Sequence, residues 1–428
     1  MIKSFKAIFA LPLVASLAFA GEAKSDKDLK KVIEDQGIYV ETSQKGIVLS
    51  GYADAGYTYN FNSGNNAVGQ RFGNDGGVAQ QQQGDFNLNA FKLALEKPLS
   101  DKNELTAGFR ADLMVGEDAS FLRGNGNGVA ADGLSELYMH QAFVQFRAPV
   151  GNGIDFKVGK FATPAGYEVA ERPANLNYSY GLLWQNAQPL SHTGILASYA
   201  LNDLVTFEAG LANNDWNQAD GTNINGTAGK SDMALIASVN IKSKGGNANI
   251  KNTFIGNPDG GRNITVNGSG QQANSGEAFL WDMWGNWAPK FANDKLLLGF
   301  NTDLGFHNDY AQSVNTRQQN FNETWYGVAL YAKYQFSKVF SLAGRGEYIH
   351  NADNAKFGNT GTVVTGQNTA LTSTDLWAYT VTAGFNIYEN MLLRAEYRFD
   401  AGTEVQNNGN NPEDTVAQMV SLNVVYSF

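Results

Sequence analysis

The chain has no cysteine among its 428 residues and only 9 prolines. Without cysteine there is no disulfide framework, no thiolate zinc site and no cysteine nucleophile. Charge is also scarce. Asp, Glu, Lys and Arg make up 17% of the residues, and 41 acidic against 31 basic residues leave a net charge of −10. An acidic chain argues against nucleic acid as a partner. After the first twenty residues no apolar run is long enough for a membrane helix. What the chain has is glycine, at 47 residues, and aromatics, at 12%. That mixture suits many strands joined by Gly/Asn turns. The length allows two average soluble domains or one large barrel.

The first twenty residues, "MIKSFKAIFALPLVASLAFA", carry Lys3 and Lys6, then an apolar run, then Ala18-Phe19-Ala20. This is the pattern of a secretory signal peptide cleaved after Ala20. Residues 21–46 are the most highly charged part of the chain. They are expected to form a charged periplasmic segment, too short for a packed plug domain.

From Ile47 onward apolar residues recur with period two. In "LTAGFRADLMVGE" (105–117), Leu105, Ala107, Phe109, Ala111, Leu113 and Val115 oppose Arg110 and Asp112. In "MLLRAEYRFD" (391–400), Leu393, Ala395, Tyr397 and Phe399 oppose Arg394, Glu396, Arg398 and Asp400. Four charges on one face of a strand call for water there, because unpaired burial is costly. Sixteen such segments can be marked between residues 47 and 428, the eleventh at about 294–306 and the twelfth at about 323–336, with 307–322 as the long connection between them. Long Gly/Asn-rich connections alternate with short ones such as "GNG" (151–153) and "YEN" (388–390). Long loops at one end, short turns at the other and an even strand number predict a transmembrane antiparallel β-barrel of about 16 strands in a bacterial outer membrane.

Aromatics near strand ends predict two interfacial belts, with Trp287, Tyr334, Tyr388 and Tyr426 on the short-turn side and Tyr59, Tyr138, Trp281 and Trp377 on the other. The final "VSLNVVYSF" places Val420, Leu422, Val424, Tyr426 and Phe428 on one face. An even-stranded barrel pairs its last strand with its first. Tyr426 and Phe428 resemble the C-terminal signal read by the barrel assembly machinery.

The stretches "LALEKPL" (93–99), "GFRADLMVGEDA" (108–119), "QAFVQFRAPVGNGIDFKVGKFATPAGYE" (141–168) and "LSHTGILASY" (190–199) resemble the putative β-barrel porin family, the OmpL-like outer-membrane porins. The motif-level likeness covers about a third of the chain. It implies an outer-membrane porin and brings no catalytic residues and no common substrate.

A barrel of this size can hold a water-filled lumen, and function then lies in what narrows it. The third long connection, "PAGYEVAERPANLNYSYGLLWQNAQPL" (164–190), holds three prolines, three tyrosines, a tryptophan, Glu168, Glu171 and Arg172. Long loops with apolar content of their own tend to pack and carry function. It is expected to fold inward as the constriction, an outward lid being the other reading. Arg110, Asp112, Arg345, Arg394 and Arg398 are the candidate wall groups opposite it. Such an eyelet would carry a transverse field, although ladder pairs such as Arg345/Glu347 and Arg394/Glu396 fit a merely structural role equally well.

His140, His192, His307 and His350 have no zinc-like spacing, so neither metal nor cofactor is expected. Ser191 and His192 are neighbours on a strand and point to opposite faces, which argues against a Ser–His hydrolase. "NNGNNPED" (407–414) lacks the ordered ligand spacing of a calcium loop. The reading is a non-enzymatic porin for passive diffusion of small hydrophilic solutes, embedded in outer-membrane lipids, with a homotrimer plausible by analogy. Its rival is a closed structural or adhesion barrel. Loops 62–85, 350–373 and 401–413, rich in Gly, Asn, Gln and Thr, favour the porin.

Overall fold

Alternation from Val48 onward builds sixteen antiparallel strands. They are β1 (Val48–Asn60), β2 (Asp85–Lys97), β3 (Thr106–Val115), β4 (Leu137–Ala148), β5 (Ile154–Ala162), β6 (Ser191–Ala200), β7 (Val205–Asn213) and β8 (Met233–Lys242). There follow β9 (Ala248–Asn257), β10 (Ala278–Trp287), β11 (Leu296–Val314), β12 (Arg317–Gln335), β13 (Phe340–Asn351), β14 (Thr374–Tyr388), β15 (Met391–Thr403) and β16 (Val416–Ser427). In this computed structural model each strand pairs with its sequence neighbour, and β16 pairs with β1 to close the barrel. The structure describes residues 46–61, 84–122, 137–213, 233–257, 278–293, 295–314, 317–352, 374–403 and 416–428. Residues 1–20, expected as a signal peptide, nearly all of the 21–46 segment and most of the Gly/Asn-rich long connections lie outside the described residues.

The faces follow the sequence alternation. Leu422 and Tyr426 are exposed on the outside of β16, while Ser421, Asn423 and Val425 are buried on the inside. Closure is completed by Phe428, whose carbonyl accepts from the Gly51 amide at 2.8 Å and whose amide donates to the Gly51 carbonyl at 3.0 Å.

Two features depart from the expected pattern. In β4, Gln141 pairs with Asp112 and Met139 with Leu113, which leaves His140 as an extra, bulged residue. The bulge shifts the parity, so Tyr138, His140 and Gln141 all point inward and are buried. Tyr138 therefore belongs to the lumen and not to the outer aromatic belt. The second departure is at 307–322, expected as a long loop. There β11 and β12 run on as a paired ribbon to Val314 and Arg317. The sequence of 307–322 is mostly polar and carries no sustained alternation to mark it as strand. A short helix α1 (Glu117–Leu122) follows β3, and a second, α2 (Leu182–Asn186), lies between β5 and β6.

Candidate functional site

Residues 163–190, between β5 and β6, lie inside the barrel. The Thr163 amide donates to the Leu190 carbonyl at 3.2 Å and pinches the base of the segment. Asn175 braces it from within, accepting from the Val169 amide and donating to the Val169 carbonyl. A turn at Arg172–Ala174 and the five-residue α2 are the only regular pieces. Helices this short do not persist alone, so tertiary contacts hold the shape.

Those contacts reach across the lumen. The Pro164 carbonyl accepts from Thr253 of β9, and the Tyr167 amide donates to Asn301 of β11 at 3.0 Å. The Tyr167 ring stacks on Tyr331 of β12 at 4.3 Å and meets Trp284 of β10 edge-on. Trp325 of β12 donates its indole N–H to the Ala187 carbonyl at 2.9 Å. Asn177 donates to Thr382 of β14, and the Tyr178 hydroxyl donates to Asn89 of β2. Leu182 and Leu183 are fully buried at the centre. They join one apolar cluster with inward residues of the wall such as Leu196, Ile236, Ile255 and Ile349.

The charged candidates are drawn into this arrangement. Arg345 of β13 bonds Glu168 at 2.5 Å, pairs with Glu347 at 2.8 Å and donates to the Ser179 carbonyl at 2.7 Å. The Gly181 amide also donates to Glu168, at 2.6 Å. A Cβ at 181 would come within 2.5 Å of Glu347 Oε1, so any larger residue there would have to displace that carboxylate. Arg394 donates to the carbonyls of Arg172, Asn175 and Asn177. Arg398 pairs with Asp400 at 2.9 Å and donates to the Tyr180 carbonyl at 2.6 Å. Glu396 accepts from the Tyr178 and Ser179 amides. Glu171 meets the Lys92 ammonium of β2.

Arg172 takes its carboxylate from α1 and not from a strand of the wall. It pairs with Asp118 of α1 at 2.7 Å and donates to the Tyr178 carbonyl, with the Tyr180 ring 4.0 Å from its guanidinium carbon. Arg110 stays in the wall, on Asp112 and Glu96 at 2.9 Å each. Alternation alone predicts water around the four charges of β15. Pairing makes burial possible instead: Arg394, Glu396, Arg398 and Asp400 are all buried against this segment, and its backbone amides and carbonyls stand where water would.

Burial pushes the Glu171 carboxyl up, but the neighbouring Lys92 ammonium outweighs it and holds the carboxyl well below the usual carboxylate range. Burial raises Glu168 from its ordinary value, against the pull of Arg345.

Lys92, Asp118 and His140 escaped sequence reasoning. Lys92 follows the alternation of β2 and was legible as an inward lysine. Asp118 sits on a helix too short for a periodic signal, and His140 on a bulge.

A family model described as "Putative beta-barrel porin-2, OmpL-like" matches residues 46–428. No curated protein matches the chain in sequence. Solved structures share the fold. The outer membrane channel DcaP of Acinetobacter baumannii superposes with a TM-score of 0.59 at 11% identity, over 89% of this chain and 97% of that one. OprB of Pseudomonas putida gives 0.57 at 12%, over 94% and 97%. The trimer form of OmpT of Vibrio cholerae gives 0.54 at 12%, over 89% and 99%.

Proposed function

We propose, for a chain that belongs to the putative beta-barrel porin-2, OmpL-like family of the bacterial outer membrane, that it passes small hydrophilic solutes by passive diffusion and that residues 163–190 set the width of the path. Family and fold point to a channel rather than an enzyme. The observation that carries the reading is the inward segment with Glu168 on Arg345 and Glu171 on Lys92. These pairs tie the loop to the wall at two separate strands, β13 and β2. The charged ring formed by Glu168, Glu171, Arg345, Arg394 and Arg398 is the proposed constriction; Arg172, Arg110 and Asp112 support it from behind.

The test is single-channel conductance in a planar bilayer, with reversal potential in a salt gradient. Discrete openings are expected. Replacing Glu168 and Glu171 together by glutamine removes two negative charges and leaves Arg345 only Glu347 and Lys92 only Asp112 as paired carboxylates, so the reversal potential should move toward that of the anion. An unmoved potential would place the selective region elsewhere.

A second reading has its own support. Leu182 and Leu183 have no exposed surface, and the apolar cluster around them spans the lumen. A barrel closed at this height would serve as a structural or adhesion element. Folded protein that never conducts at any voltage would favour it.

Assembly into trimers in the outer-membrane lipid is proposed by likeness to the trimeric neighbour. Tyr426 and Phe428 are proposed as the signal read by the assembly machinery. Deleting Phe428 should lower the folded fraction in the outer membrane, judged by heat-modifiable migration, yet spare refolding in detergent. Equal levels in the membrane would remove that role.

A further inference from the structure

Three groups from three distant parts of the chain converge behind the segment 163–190. Asp112 comes from β3, His140 from the bulge of β4 and Glu171 from the segment itself. One donor atom of each lies within 4.8 Å of the others. His140 is 1% exposed, and among the described residues neither ring nitrogen has a hydrogen-bond partner. Its Nδ1 faces Glu171 Oε1 at 3.5 Å. A buried polar group without a partner is costly, by about 1–3 kcal/mol. An imidazole aimed between two carboxylates has an obvious way to recover that cost, by binding a cation that all three share.

The position of that cation is marked. The Lys92 ammonium touches Glu171 and lies 2.9 Å from Asp112 Oδ2. The two carboxylates thus already converge on one point of positive charge. The ammonium satisfies them and leaves the imidazole without a hydrogen bond, whereas a metal ion at the same point would collect all three donors. Asp112 is fixed in orientation by its neighbours. Arg110 donates to Oδ1 at 2.9 Å and to Oδ2 at 3.0 Å, and Gln141 donates to Oδ2 at 3.0 Å. Such supporting bonds orient ligands in metal sites. One imidazole and two carboxylates suit zinc, copper, nickel or iron better than magnesium or calcium. Three protein ligands leave a fourth position for water or another small ligand.

We propose that Asp112, His140 and Glu171 bind a divalent transition-metal ion of the zinc class, which displaces the Lys92 ammonium and ties the 163–190 segment to β3 and β4. Lys92 has the flexible stem needed to swing its charge aside. The displacement also answers the charge balance. The two carboxylates are now offset by Lys92 and Arg110, and a divalent ion enters only as one of those cations leaves. Binding is independent of whether the segment lines a conducting pore.

The test uses the refolded full chain in detergent, stripped with EDTA and titrated with cobalt and zinc. One cobalt ion per chain with visible ligand-field absorption is expected, and zinc should bleach it. His140→Gln should weaken zinc binding at least about tenfold. Lys92→Gln should tighten it, because the competing ammonium is gone. Heat-modifiable migration checks that each variant is folded. No saturable binding by the unaltered chain would overturn the proposal. So would a folded His140→Gln variant that binds like the parent, which would place the ion elsewhere, for instance on the His350–Asp375 pair. If His140→Gln does not fold, Lys92→Gln decides: unchanged or weaker affinity overturns the site.

Discussion

Replacing residues 170–186 by a short Gly/Ser linker is expected to raise single-channel conductance severalfold. The segment carries the fully buried Leu182 and Leu183, the Tyr180–Trp184 stack at 4.0 Å and the backbone carbonyls that receive Arg345, Arg394 and Arg398. Removing it empties the middle of a sixteen-stranded cylinder, which is wide enough to fill with water. The barrel itself should survive. Its ladder is closed without the segment, and the three arginines would be hydrated by the incoming water rather than left buried and unpaired. Heat-modifiable migration on gels would confirm the folded barrel before any current is recorded. A conductance equal to that of the parent would show that the segment does not set the path. A parent that never opens beside a conducting deletion variant would mark the segment as a seal and support the closed-barrel reading of the intact chain.

Arg172→Ala should cost about 3–5 kcal/mol in urea unfolding from lipid vesicles, the range for breaking one side of a buried pair. Arg172 and Asp118 are both almost fully buried, and three guanidinium hydrogen bonds of 2.7–2.9 Å join them. Truncation leaves the Asp118 carboxylate with the Tyr180 hydroxyl at 3.3 Å and no cation beside it among the described ion pairs. The Tyr180 ring also loses its cation at 4.0 Å, and the Tyr178 ring loses the nearer of two, at 5.1 Å, keeping Arg394 at 5.6 Å. The double change Arg172→Met with Asp118→Asn should recover most of the loss, because no charge is then stranded. A single-variant loss below about 1 kcal/mol would mean that water reaches the pair and screens it.

The two results probe different couplings. The deletion asks whether the segment limits flow, and the arginine variant asks what ties the segment to the neighbouring α1. A chain in which Arg172→Ala is destabilised but the deletion leaves conductance unchanged would keep the packing described here and lose only the constriction.

The barrel was legible in the sequence because every strand crosses between two solvents. Tyr397 and Phe399 must face outward while Arg398 and Asp400 face inward, and a period of two records that choice at each residue. Strand number, strand order, the closing pair of β1 with β16 and the outward faces of Leu422 and Tyr426 all follow from it. The identity of the segment 164–190 as the unusual connection was legible too, from its Pro, Tyr and charge content. Its partners were not. Glu168 meets a residue 177 positions away, and Tyr178 one 218 positions away. No local period encodes such a pair, because the segment is irregular and its bonds are made by backbone groups that every sequence possesses. Bulges were hidden for a related reason. One extra residue at His140 changes which side chains face the lumen without changing the composition of the strand. The sequence by itself therefore determined the cylinder and which face of each strand is wet. Only the tertiary structure decided what fills the cylinder, because the buried charges of the wall choose partners by distance in space.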